Sequence, residues 1–200
     1  MPDFSVEDQY KNKIVVGIDE AGRGAWAGPV VVGAAIINTS KDTSYINDSK
    51  KISKEKRYSF SKQILLDHDA AVGESSVEEI FSLGINRAIF LAMERAVNKL
   101  TTPPEIAIID GNYKCNIGDL DCRSIIKGDQ LSVSIAAASI IAKVYRDNLM
   151  SNMPEVSDKY LWAKNSGYGT SNHIEMLNKH GVSNLHRKNY KPILKLLETI

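Results

Sequence analysis

The sequence predicts an α/β domain in which helices pack against a mixed β-sheet. Three observations carry that prediction. Short apolar, β-branched runs recur at 13–19 (KIVVGID), 29–38 (PVVVGAAIIN) and 105–110 (EIAIID), each the length of a buried strand. Longer segments at 84–100 and 132–150 have helical character. Strands come first, as a hairpin-like group, and then alternate with helices, the order expected of a mixed sheet with helical layers.

Taken in order, residues 1–12 are polar and read as a loose lead-in. Strand 13–19 runs into a glycine-rich turn at 20–28. Strand 29–38 follows closely enough for the two to pair as a hairpin. Residues 53–67 read as an amphipathic helix with Tyr58, Ile64 and Leu65 inward, and 70–75 as a third strand. Ser76 and Glu79 have capping-box spacing and start a short helix. Within 84–100, Ile85, Ile89, Ala92, Met93, Ala96, Val97 and Leu100 fall on one helical face. Pro103 and Pro104 stop that helix. Strands 105–110 and 122–127 follow. Helix 132–150 is dense in Ala and Ser at 135–142, so it can sit close against a sheet. Asn172 caps a short helix that Gly181 ends, and 192–199 form a last basic helix. Nothing marks a linker. Residues 1–200 are expected to form one domain, with a core at 13–150 and a C-terminal helical annex at 151–200.

A chain of 200 residues buries roughly 70% of its unfolded surface and needs no disulfide or structural metal to fold. Its 43% hydrophobic and 24% charged residues are ordinary for a soluble protein, and a net charge of +1 implies no partner. The distribution says more. Residues 159–200 hold seven Lys or Arg against two acids, and Lys50, Lys51, Lys54, Lys56 and Arg57 form a second basic cluster. Such runs are either solvated faces or phosphate-contacting surfaces. Cys115 and Cys122 match no zinc or redox spacing and read as free thiols. There is no signal pattern and no apolar stretch of roughly 18–20 residues. A soluble, cytoplasmic, monomeric protein without membrane contact is expected.

The sharpest local feature is Asp19-Glu20-Ala21-Gly22-Arg23-Gly24. Two carboxylates at the end of an apolar strand are costly unless a cation is near. Glycines let backbone N–H groups approach a ligand, and Arg23 adds positive charge. Asp110 ends a second apolar strand and precedes Gly111. Asp129 follows Gly128, ahead of the Ala-rich helix. Sites in α/β sheets form at strand C-termini, so Asp19, Glu20, Asp110 and Asp129 could converge. Oxygen-only ligands suit Mg²⁺ or Mn²⁺ rather than zinc. Each acid also has a plainer reading: a solvated turn, a strand-ending turn, or a helix N-terminal acid favoured by the macrodipole. Gly22-Arg23-Gly24 is neither a dinucleotide fingerprint nor a P-loop.

Ordered motifs then narrow the reading. They are Gly17-Ile18-Asp19-Glu20-Ala21-Gly22-Arg23-Gly24 with Gly28-Pro29; Asn47-Asp48-Ser49-Lys50-Lys51; Ile109-Asp110-Gly111-Asn112; Lys127-Gly128-Asp129; Ser134 to Lys143 with Arg146-Asp147; Gly167-Tyr168-Gly169-Thr170 with His173; and His186-Arg187. In these the chain resembles type 2 ribonuclease H (ribonuclease HII) from about Ile14 to Pro192. Departures are confined to the run before Gly167 and to Asn189-Tyr190, and bear on substrate packing at the annex.

The resemblance implies a ribonuclease H-like fold with a five-stranded mixed sheet flanked by helices. It implies four catalytic, metal-binding carboxylates at Asp19, Glu20, Asp110 and Asp129. Gly22, Arg23 and Gly24 would read the ribose 2′-OH largely through the backbone, and Tyr168 would stack at an RNA–DNA junction. Lys50, Lys143 and Arg146 are candidate phosphate contacts, although Lys143 and Asp147, four apart, could instead pair. His173 and His186 read as structural or phosphate-side groups, and Asp48 and Asp147 as organisers of the site. The implied activity is hydrolysis of RNA in RNA/DNA hybrids and incision 5′ of ribonucleotides embedded in DNA, leaving 3′-OH and 5′-phosphate ends. Two Mg²⁺ or Mn²⁺ ions would serve it. Two alternatives are a type 3-like enzyme acting on hybrids only and an inactive hybrid-binding protein.

Overall fold

The computed structural model describes residues 1–114, 116–153 and 156–198. The Cys115 thiol and the Thr199 end of the last helix lie outside the described residues. Five strands, β1 (Val15–Ala21), β2 (Val30–Ile36), β3 (Asp69–Ser75), β4 (Ile106–Asp110) and β5 (Asp121–Ile125), form one sheet in the order β3-β2-β1-β4-β5. β1 and β2 pair antiparallel, as a hairpin, and β3 continues antiparallel beside β2. β4 and β5 add parallel on the other side of β1. The inner strands β1, β2 and β4 are covered on both faces, which is why they read as near-continuous apolar runs.

The helices are α1 (Lys54–Asp67), α2 (Val77–Leu83), α3 (Ile85–Val97), α4 (Gly128–Leu131), α5 (Val133–Ser151), α6 (Val156–Tyr160), α7 (Trp162–Asn165), α8 (Ser171–His180) and α9 (Lys191–Glu198). The Ser76–Glu79 capping box is formed at the start of α2. α3 covers one face of the sheet, setting Ile89, Ala92, Met93 and Ala96 against Val16, Ile18, Val30 and Val32. α5 covers the other with Ala136, Ala137, Ile140 and Ile141, backed by Ile64 of α1. The small residues of α5 meet glycines of the sheet. A Cβ at Gly17 would stand 2.2 Å from the Ser134 carbonyl carbon, and one at Gly33 2.2 Å from the Ala138 oxygen. Among the described residues no helix is long and apolar enough to cross a membrane.

Several local expectations are corrected. Residues 1–12 are not a loose lead-in. The Asp3 N–H donates to Leu131 O and Asp3 O accepts from the Val133 N–H, bracketing the α4–α5 joint. Glu7 Oε1 accepts from the Ser132 and Ser134 hydroxyls, both at 2.6 Å, and from the Ser134 N–H at 3.0 Å. In α1, Ile64 is buried but Tyr58 and Leu65 are 46% and 50% exposed. The buried face runs through Ser61 and Ile64; a small polar residue sits where the apolar pattern wanted a large one. The cap of α8 is Thr170, whose hydroxyl accepts from the His173 N–H, and not Asn172. α6 and α7 were not foreseen; Leu161 and Ser166, both left-handed, break the chain into these short turns. α6–α9 bury Tyr160, Trp162, Leu177 and Ile193 together with Met150 of α5.

Candidate metal centre

The sheet register brings the first acids together. Ile18 of β1 pairs with Ile109 of parallel β4, so Asp19 and Asp110, the next residues on, emerge side by side. Strand alternation then separates the adjacent carboxylates of β1. Gly17 lies under α5, so Asp19 projects to that face, where the nearby Ser139 hydroxyl favours its charged form. Glu20 turns to the opposite face, and its Oε1 accepts from the Tyr113 hydroxyl at 2.7 Å. Asp129 arrives from α4. The Gly128 N–H donates to Asp110 Oδ1 at 2.6 Å, fixing the start of α4 to the end of β4. Asp129 itself is only 2% exposed.

This cluster carries uncompensated negative charge. Burial, and then the Glu20 and Asp110 charges, push the Asp19 carboxyl well above the usual range. Burial also raises Glu20. Asp110 is raised by burial and by the Asp129 charge beside it. The counter-charges are few. Lys50 Nζ donates to Asp129 Oδ2 at 2.8 Å, a bond that raises the Lys50 pKa. Asp48 seats that lysine by accepting its backbone N–H at 2.9 Å. Arg23 stands 3.9 Å from Glu20 Oε1.

The donors fit an oxygen-preferring divalent cation: all four are carboxylates, and three have ionisation opposed by burial and by one another. Among the described residues, however, no three His, Cys, Asp or Glu side chains are arranged as a ready cage. Glu20 is held by Tyr113 and Asp129 by Lys50.

The acids open onto a cleft of about 350 Å³ whose wall includes Asp19, Glu20, Asp110, Lys50, Lys143 and Tyr168. Asp129 is bound to the lining Lys50. The Lys143 ammonium lies 6.0 Å from the Tyr168 ring centroid and donates to Asp147 Oδ1 at 2.7 Å, so the i,i+4 pair is formed. Asp147 also accepts from Ser166 Oγ at 2.9 Å, which ties the loop carrying Tyr168 to α5. Arg23 donates to Asn86 Oδ1 at 3.1 Å and to the Tyr113 hydroxyl. A Cβ at Gly24 would meet nothing within 4 Å, whereas one at Gly22 (φ +90°) would collide with the Arg146 guanidinium.

Arg146, a candidate phosphate contact from the sequence, sits among backbone carbonyls. It is buried, its Nε and Nη2 donate to Pro29 O and Ala27 O at 3.0 Å, and its Nη1 donates to Ser166 O at 2.9 Å. Burial lowers its pKa to about 10. It is spent on backbone carbonyls. Sequence reasoning missed Tyr113 entirely; a lone tyrosine three residues after Asp110 has no marked type or spacing. It also left Arg187 without a role. That side chain is fully buried and donates to Gly28 O, Pro29 O and Arg23 O.

Comparison with known proteins covers most of the chain. The family described as Ribonuclease HII matches residues 16–193. A ribonuclease HII of Jannaschia sp. (strain CCS1) is 45% identical over 196 residues, 98% of each chain. The structure of the PCNA:RNase HII complex from Archaeoglobus fulgidus contains a chain similar at TM-score 0.73 and 26% identity, over 89% of this chain and 95% of that one. Bst-RNase HIII, solved in complex with Mn²⁺, is similar at TM-score 0.75 and 21% identity; the match spans 100% of this chain but 74% of that one.

Proposed function

Because the chain belongs to the ribonuclease HII family, we propose that Asp19, Glu20, Asp110 and Asp129 are its catalytic, metal-holding carboxylates. The enzyme is a hydrolytic endonuclease acting on RNA/DNA hybrids and on ribonucleotides embedded in DNA. The observation that carries the site assignment is the convergence of strand ends: Asp19 beside Asp110, with Gly128 bonded to Asp110 and Asp129 next in the chain.

A divalent cation is the cofactor; our reading is Mg²⁺ or Mn²⁺, two ions in turnover, which Asp19, Glu20, Asp110 and Asp129 would hold and which would supply Lewis acidity for phosphodiester hydrolysis. Asp19 and Asp110 hold one side of the cleft and Glu20 and Asp129 present their carboxylates from its flanks. Lys50, three-quarters exposed along its side chain, can leave Asp129 and neutralise a phosphate. Lys143 adds a second cation on the wall beside Tyr168. The Tyr168 ring offers a face for a sugar at the junction. The Gly22–Gly24 backbone, unshielded at Gly24, reads the ribose 2′-OH. The cut falls 5′ of the ribonucleotide and leaves 3′-OH and 5′-phosphate ends. The basic annex, 151–200, serves as the substrate-binding part of a cytoplasmic monomer.

The test is a DNA duplex containing one ribonucleotide, incubated with Mg²⁺ and with Mg²⁺ plus EDTA. Incision at the ribonucleotide in the first mixture only is the expected result. No metal-dependent incision there would overturn the reading.

A further inference from the structure

We infer that the dipeptide His186-Arg187 locks together the two loops that meet the ribonucleotide, and that His173 and His186 do so as a relay with one defined pair of tautomers. The inference rests on the functional reading above for what those loops contact, and on the hydrogen bonds for the lock itself.

The Arg187 half holds the first loop. Its guanidinium donates to Arg23 O at 3.0 Å, Gly28 O at 2.9 Å and Pro29 O at 3.0 Å, and its backbone N–H donates to Trp26 O at 2.7 Å. Both ends of the segment that begins with Gly22-Arg23-Gly24 are thereby fixed to one residue.

The His186 half reaches the second loop through His173, and both rings are fully buried. Two obligate donors set the protons. The Trp162 indole N–H points at His173 Nε2, 3.3 Å away, so that nitrogen accepts. The His173 proton is therefore on Nδ1, where it donates to Tyr168 O at 3.0 Å. At the other end the Ser183 N–H points at His186 Nδ1, 3.0 Å away, so that nitrogen also accepts. The His186 proton is on Nε2, facing His173 Nε2 at 3.1 Å. The two assignments were reached from opposite ends and agree: His186 donates to His173, and His173 donates to the Tyr168 carbonyl. The Trp162 indole N–H and the His186 Nε2–H share the single lone pair of His173 Nε2, the Ser183 hydroxyl lies 2.8 Å from His186 Nδ1 beside the Ser183 N–H, and an added proton on either ring would set two donors against each other. The loops also touch directly, the Trp26 N–H donating to Gly167 O at 2.8 Å, so His186-Arg187 closes a ring around a contact that already exists. His173 and His186 are positioning residues: they act on substrate only through Tyr168.

Nitrogen-15 NMR of the full chain reads the relay without reference to activity. The expected spectrum shows His173 protonated at Nδ1 and His186 at Nε2, both neutral at pH 6. The opposite tautomers, or a charged ring at pH 6, would overturn the inference. Kinetics then test the consequence. For His186→Leu, kcat/KM on a duplex with one ribonucleotide should fall at least tenfold more than kcat/KM on a long RNA/DNA hybrid. His186→Gln, whose amide N–H can replace the Nε2–H, should restore that ratio to within threefold. Parallel losses on both substrates, or no rescue by glutamine in a variant that still melts cooperatively, would reduce the pair to simple core packing. Should His186→Leu fail to fold, the tautomers and the glutamine variant decide. A wild-type enzyme that ignores the ribonucleotide duplex would remove the functional reading, and the NMR result alone would then judge the relay.

Discussion

Gly17→Ala tests whether helix–sheet contact sets the catalytic geometry. The added Cβ would lie 2.2 Å from Ser134 C, 2.4 Å from Ile135 N and 2.6 Å from Ser134 O. All three are backbone atoms of the first turn of α5, so no rotamer change can relieve the clash. Ordinary contact begins near 3.4 Å, so helix and strand must separate by about 1 Å. Overpacking of a core typically costs about 1–3 kcal/mol, and a backbone-on-backbone clash belongs at the upper end. At roughly 2–4 °C per kcal/mol for a domain of this size, the melting temperature should fall by about 6–12 °C. Activity should fall further than stability suggests. Asp19 is two residues on, on the same face of β1, and Asp129 is joined to the displaced turn through Ser132, whose N–H donates to Gly128 O. Misplacing catalytic groups by about 1 Å costs on the order of 100-fold in rate. The assays are thermal melting by circular dichroism and kcat/KM on the single-ribonucleotide duplex. Gly24→Ala is the control: its Cβ meets nothing within 4 Å, and it should melt with the wild type. A Gly17→Ala enzyme with wild-type melting and wild-type kcat/KM would refute the reasoning.

Asp129→Asn should abolish turnover while melting at or above the wild-type temperature, because it removes one charge from a cluster of like charges; steady-state kinetics and a melt on the same preparation check both halves. Tyr168→Ala should lower kcat/KM on the ribonucleotide duplex about tenfold or more with little change in melting, since its ring lines the cleft beside Lys143 and not the core. Acid should destabilise the fold through His186. Burial and then the His173 ring hold its pKa down to about 3, and Lys159 adds to the effect; His180 and His173 also pack on the neighbouring Tyr160 ring. Below about pH 6.5 the unfolded chain takes up a proton that the folded one refuses, so this stability is complete above pH 6.5 and is lost on descent toward pH 3. Urea unfolding at pH 7 and pH 5 should show the wild type losing roughly 2 kcal/mol more than His186→Gln, and equal losses would contradict the buried neutral ring.

What could be read from the sequence depended on whether a residue's role is local. The strands of the sheet centre declare themselves because both faces are covered, so KIVVGID, PVVVGAAIIN and EIAIID are apolar almost throughout. The same locality exposes Asp19 and Asp110: each ends such a run, and parallel pairing of β1 with β4 then sets them side by side. Roles that depend on distant backbone were hidden. Arg146 looks like any charge on a helix, and its burial follows only from carbonyls of Ala27, Pro29 and Ser166, more than a hundred residues away in two cases. Glu7 sits in a polar lead-in and finds its partners at Ser132 and Ser134. Tyr113 gains meaning only when Glu20 turns to the face opposite Asp19, a consequence of strand alternation that the adjacent pair Asp19-Glu20 conceals in one dimension. Ser61 misled in the other direction, since a small polar residue under α1 displaced the inward face away from Tyr58 and Leu65. The acids that hold charge are thus legible one strand at a time. The arginines and histidines that hold the acids' surroundings in place take on their roles only when distant loops meet, as they do at His186-Arg187.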